Sequence, residues 1–230
     1  MKPAPISEGN KKKVYLITNN KSGNILENEL KNMDFISEVR KGSPNVINQM
    51  NESFLSLFDC FIYDLCDCGF CTNHEKPNEI EQYIKNDGGS FLVTHDQWDF
   101  HANSNINTPL NLLGFEYNEK FPLLRSNKAR VCLTHELFNS YYDLTNVGLM
   151  NIATTHQSQH KIIENENNKT RTLMQLEIDK STNLKHDYLV VNELGCGRTA
   201  YWAAGHSNTI SEDEKKLLKN IVAWLTKYKK

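Results

Sequence analysis

No apolar run in this chain comes near the roughly 20 residues that a membrane-crossing helix needs, and the opening "MKPAPISEGNKKK" has no apolar stretch of the kind an export signal carries. Neither membrane insertion nor export is expected, which points to a soluble, cytoplasmic protein. A surplus of positive charge is missing too. Lys and Arg number 26 against 28 Asp and Glu, a net charge of −2, so nothing favours nucleic acid as a partner. Six cysteines in 230 residues are too few for a disulfide scaffold, and without an export signal they are expected as thiols or metal ligands. Proline and glycine nowhere gather into a linker, and no segment repeats at a fixed period. One domain over residues 1–230 is expected, with a flexible segment at 1–12.

What the chain does have is alternation. "KKKVYLITNN" (11–20) holds a short apolar run from Val14 to Ile17 that stops at Thr18, and "SGNILENELKNM" (22–33) then spaces Ile25, Leu26, Leu30 and Met33 as a helix does. "FISEV" (35–39) reads as an edge strand. "SPNVINQMN" (43–51) reads as a helix capped by Ser43 with Pro44 at its first position, and "FDCFIYDL" (58–65) as a fully buried strand. "EKPNEIEQYIKNDGG" (75–89) predicts a helix with Ile80, Tyr83 and Ile84 inward, stopped by Gly88 and Gly89, and a strand follows at Ser90 to Thr94.

Strand and helix alternating in units of about 25–30 residues indicate an α/β fold with a largely parallel sheet covered on both faces. Further on, "NTPLNLLGFEYN" (107–118) predicts a short helix ending at Gly114, "HELFNSYY" (135–142) a helical turn, and "IIENENNKTRT" (162–172) a solvated loop. From residue 149 four strands follow in quick succession, which predicts mixed or antiparallel pairing in the C-terminal half. The last helix has a capping box in Ser211 and Glu214, and Leu217, Leu218, Ile221, Val222, Trp224 and Leu225 form its buried face.

Three stretches carry a family resemblance. "IEQYIKNDGGSFLVTH" resembles the helix, double glycine and strand that lead to the nucleophile turn in the class I glutamine amidotransferase-like superfamily. "GCGRTAYWAAGHSNTISEDEKKLLKNIVAWL" resembles its closing unit, and "GHSN" with "LLKNIVAWL" is most similar to the ThuA-like branch, some of whose members are linked to sugar utilisation. The resemblance implies a flavodoxin-like three-layer sandwich. Active members use a Cys nucleophile, a His base and a Glu behind it. Here the turn carries Thr94 and His95, with no Cys before Cys132. His206 falls where the His is expected, but Asn208 occupies the position of the carboxylate. Glutaminase activity is therefore not expected.

Ligands of such sheets sit beyond the carboxyl ends of the strands, where the resemblance brings His95 and His206 together. Asp96 beside His95, Trp98 with its flat face and Asn208 complete a candidate binding site for a small polar ligand such as a carbohydrate, or for a protein partner. The competing reading is that these polar groups only cap strand ends. A rival function is a sugar-derivative hydrolase or isomerase with His95 and His206 as acid and base. A third is a scaffold subunit of a larger assembly, and oligomerisation stays open.

"DLCDCGFCTNH" offers Cys66, Cys68, Cys71 and His74 for zinc, but Cys-x-Cys is a cramped spacing for one ion. Free thiols are favoured there, and neither a metal nor a cofactor is expected. His156 and His160 are too far apart along a strand to share an ion. The glycine pair in "GCGR" (195–198) precedes a strand, so it is no phosphate cradle.

Overall fold

The computed structural model describes residues 11–18, 22–64, 78–94, 113–117, 124–157, 160–162, 169–177, 186–204 and 209–228. Eleven strands and four helices run in the order β1 (Lys12–Thr18), α1 (Ser22–Lys31), β2 (Ile36–Gly42), α2 (Glu52–Leu55), β3 (Cys60–Asp64), α3 (Asn78–Lys85), β4 (Ser90–Thr94), β5 (Phe115–Tyr117), β6 (Leu124–Val131), β7 (Leu149–Gln157), β8 (His160–Ile162), β9 (Arg171–Leu176), β10 (Asp187–Leu194), β11 (Gly197–Trp202) and α4 (Glu212–Leu225). Nine of the strands form one sheet, ordered β2-β1-β3-β4-β11-β10-β9-β6-β7, and β5 pairs with β8 in a separate ribbon.

The central strands are apolar because both their faces are covered. Every residue of β3 and of β4 is buried, as expected for strands enclosed between layers. Helix α1 packs on β1 and β2, α3 on β4 and β11, and α4 on β4, β11 and β7. Trp202, Trp224, Tyr63, Tyr188 and Phe61 are among the largest fully buried side chains. Each such apolar side chain contributes about 1.5–3 kcal/mol through its burial.

The sheet is less parallel than the sequence predicts. Strands β2, β1, β3, β4 and β11 run parallel, but β11–β10, β10–β9, β9–β6 and β6–β7 are all antiparallel. The reason lies in the connections. A parallel neighbour needs a crossover, whereas β10 reaches β11 through a two-residue turn at Gly195 and Cys196, which allows only a hairpin. Gly195 takes a φ of +61° there, and a Cβ would collide with the backbone of Lys85. "GCGR" is this hairpin turn, tied to α3 by the Cys196 amide, which donates to the Lys85 carbonyl at 2.7 Å.

The predicted helix over 43–51 is instead a 3-10 turn (Pro44–Gln49), followed by a fresh start at α2. Ser43 makes no side-chain cap bond, while Asn51 accepts from the Phe54 amide and begins the second element. A segment containing Asn45, Val46, Ile47 and Asn48 has little intrinsic reason to hold a longer α-helix. Residues 107–112 of the predicted short helix lie outside the described residues, and Gly114 ends in a left-handed turn (φ +78°) that leads into β5. The flexible segment predicted over 1–12 overlaps β1 at its end: Lys12 is buried and its Nζ lies 3.3 Å from Asp59. Residues 163–168 of the predicted solvated loop are also outside the described residues.

The capping box of α4 forms as predicted. Ser211 Oγ accepts from the Glu214 amide, and Glu214 Oε2 accepts from the Ser211 amide at 2.8 Å. No described helix is long and apolar enough to cross a membrane.

Candidate functional site

The parallel half changes winding direction between β1 and β3, since β2 lies on one side of β1 and all later parallel strands on the other. The carboxyl ends of strands at such a switch leave a crevice, because the two flanking connections depart to opposite faces. In this chain the strand tips there are Thr18, Asp64, Thr94 and Trp202. Register aligns them: Thr18 pairs with Asp64, Asp64 with Thr94, and Thr94 with Trp202.

Apolar runs ending in a polar residue on three adjacent strands, "LIT", "IYD" and "LVT", build a floor of hydrogen bonds. Thr94 Oγ1 donates to Asp64 Oδ1 at 2.6 Å, and Thr18 Oγ1 donates to Asp64 Oδ2 at 3.2 Å. Asp64 and Thr94 are fully enclosed and Thr18 nearly so. Hydrogen bonds to an ionised acceptor are stronger than neutral ones, so the carboxylate draws three strand tips together.

A second buried carboxylate stands at the same end of the sheet. Asp187 opens β10, which runs antiparallel to β11, and its Oδ1 accepts from Gln175 Nε2 at 3.5 Å. His186, wholly buried, precedes it. Below the nearby start of α4, Glu214 is enclosed as well: Oε1 accepts from the Tyr188 hydroxyl at 2.7 Å, and Oε2 accepts from the amides of Ser211 and Ala153, each at 2.8 Å. Burial, with Glu214 beside it, holds the Tyr188 hydroxyl far above the ordinary phenol range, so that it remains a donor.

Strands β4 and β11 are hydrogen-bonded neighbours, as required if the segments that follow them are to meet. His95, Asp96 and Trp98 follow β4, and His206 and Asn208 follow β11, but all five lie outside the described residues. So do Cys66, Cys68, Cys71 and His74. Among the described residues no group of three or more His, Cys, Asp or Glu could hold a metal ion. Cys60 and Cys196 are thiols, Cys132 Sγ donates to Gln175 Oε1 at 3.4 Å, and burial raises the Cys60 thiol far above its usual range.

His156 pairs with Arg125 in the large sheet, and His160 pairs with Tyr117 in the small ribbon, so the two belong to different sheets. His135 has a structural task. Its Nδ1 accepts from the Leu137 amide at 3.2 Å, capping a 3-10 turn (Glu136–Asn139), and its ring meets Trp224 edge-on.

The residues that the sequence analysis missed are Asp64 and Asp187. Each reads as the end of an apolar strand until the neighbouring strands are known, when the alignment of Asp64 with two threonines becomes visible.

No protein-family model matches the sequence, and no curated protein does. Solved structures do. A ThuA-like protein from Bacteroides uniformis ATCC 8492 superposes with a TM-score of 0.65 at 14% identity, over 97% of this chain and 94% of that one. A cytoplasmic protein from Salmonella typhimurium LT2 gives 0.63 at 14% identity, over 93% of this chain and 99% of that one. Agd3, a carbohydrate deacetylase, gives 0.54 at 10% identity, over 96% of this chain but 33% of its own length. At such identities the likeness is one of architecture, and the chain shares the fold of the ThuA-like structure.

Proposed function

We propose that this chain is a non-catalytic, cytoplasmic domain of the flavodoxin-like, three-layer type that binds a small polar ligand, a carbohydrate in the first instance, in the crevice above β1, β3, β4 and β11. The observation that carries the reading is the pairing of β4 with β11, level at Thr94 and Trp202, because the segments with His95, Asp96 and Trp98 and with His206 and Asn208 then leave adjacent strands. Imidazoles, an amide and an indole face suit a ring bearing several hydroxyls. The occurrence of this fold within a carbohydrate deacetylase supports the choice of ligand class. The absence of a Cys from the turn after Thr94 and of a carboxylate at position 208 supports a binding role over glutamine hydrolysis.

Calorimetric titration of the full chain with neutral mono- and disaccharides tests the reading. At least one sugar is expected to bind, and His95→Ala and His206→Ala are each expected to weaken it about tenfold, the worth of one or two well-made hydrogen bonds. Sugar affinity untouched by both substitutions, or no binding at all, would remove the proposal. A glutaminase activity lost on changing a single cysteine would replace it with catalysis.

A further inference from the structure

The connection between β6 and β7 (residues 132–148) packs against α4 and is pinned to it at two places. At one, the Tyr142 amide donates to Asn220 Oδ1 at 2.7 Å and Asn220 Nδ2 donates to the Tyr142 carbonyl at 2.9 Å, so an enclosed side chain of α4 grips the backbone on both sides. This pin does not titrate. At the other lies the 3-10 turn Glu136–Asn139, where Leu137 and Phe138 are buried and Glu136 Oε1 accepts from Trp224 Nε1 and Arg198 Nη2, each at 2.8 Å.

The second pin includes a group that a proton can change. His135 Nδ1 accepts from the Leu137 amide at 3.2 Å, and once protonated it would meet that N–H donor to donor. The half-buried ring stands edge-on to Trp224, with centroids 5.3 Å apart. Arg198 on β11 and Arg171 on β9 oppose an imidazolium here, Glu136 beside it and Glu193 on β10 favour one, and α4 presents the neutral indole of Trp224. Burial adds to the effect of the arginines, and the balance falls against the charged form. The Glu136 carboxylate, already shared by Arg198 and Trp224, is committed elsewhere.

We infer that His135 is a proton-operated clasp: neutral, it holds the 136–139 turn against α4, and on acidification that turn loosens ahead of the rest of the fold while the Asn220 pin stays fastened. Acid would then uncover Trp224 without opening the sheet. Local opening of this kind draws on the less stable parts of a structure and leaves the central strands intact.

Amide hydrogen exchange on the full chain at pH 7.5 and 5, resolved by NMR and corrected for the intrinsic effect of pH on exchange, tests the inference. The Leu137 and Phe138 amides and the Trp224 indole N–H are expected to lose about tenfold in protection at pH 5, the worth of one cap bond, while the amides of β3 and β4 change less than threefold. His135→Asn caps without titrating and is expected to abolish the difference. A loss in the turn no larger than in β3 and β4, or a tenfold loss that persists in folded His135→Asn, overturns the inference. Should His135→Asn not fold, the wild-type resonances decide: the Trp224 indole N–H is expected to titrate with the same midpoint as the His135 ring, below about 6.5, and an indole signal that ignores that titration overturns the inference.

Discussion

Asp64 ties the tips of three strands together, and substitutions can grade that role. Asp64→Ala removes the acceptor of two enclosed threonine hydroxyls and is expected to destabilise the fold by about 2–4 kcal/mol, read from urea unfolding. Asp64→Asn should cost about half of that or less, since an amide can accept from one hydroxyl and donate to the other. Lys227 poses a similar question. It is the described non-glycine residue with a positive φ, +52°, just past the end of α4, and its Nζ donates to the carbonyls of Cys196 and Gly88. Lys227→Ala loses those bonds and keeps the left-handed backbone, whereas Lys227→Gly loses them and relieves it. The glycine variant is therefore expected to be the more stable of the two by about 1 kcal/mol in the same assay.

His135 ties stability to pH. Burial lowers its pKa below the ordinary imidazole value, with Arg198 and Arg171 adding to the effect and Glu136 and Glu193 opposing it. A base with a depressed folded pKa binds fewer protons when folded than when unfolded. Its contribution is thus complete above the unfolded value of about 6.5 and is lost as pH falls through the folded one. The cap bond has the same sign, because Nδ1 must be unprotonated to accept from Leu137. His135→Asn can cap without titrating, so its urea midpoint is expected to change less between pH 7.5 and 5 than that of the wild type. Equal slopes would exclude this role.

At the scale of elements, the parallel strands, the edge character of β2 and the capped last helix were legible because each rests on its own residues: an unbroken apolar run, a run interrupted by Ser37 and Glu38, and Ser211 three residues before Glu214. The break between Pro44–Gln49 and α2 was hidden, since it depends on which cap bond forms. The polar floor was hidden for a different reason. Thr18, Asp64 and Thr94 become one unit only through pairing between residues 30 and 46 apart in sequence. Register, too, exposes the role of the β10–β11 turn. Gly195→Ala should cost roughly 2 kcal/mol or more in thermal or urea unfolding, because it adds both left-handed strain and a clash with the end of α3.

On the scale of the whole molecule, the nine-stranded sheet as described has two edges to guard, β2 and β7. Along β2, the exposed Arg40 and Lys41 and the half-buried Glu38 make a charged margin that discourages pairing with another chain. Along β7 the protection comes from the start of α4, where Ser211 Oγ donates to the Asn151 carbonyl, and Asp213 and Glu214 accept from the amides of Asn151 and Ala153. Glu214→Ala would uncover that margin and leave Tyr188 with one partner fewer. It is expected to raise concentration-dependent association in light scattering, whereas Glu214→Gln, which can still bond all three groups, should not.

Strand β11 is the hinge plate of the sheet, parallel to β4 on one side and antiparallel to β10 on the other. During synthesis β4 therefore waits roughly a hundred residues for its neighbour, its backbone donors and acceptors open meanwhile to wrong partners. The ribosome delivers β10, its tight turn and β11 almost together, so closure of the nascent sheet is a late event that a local hairpin can trigger within microseconds once it emerges.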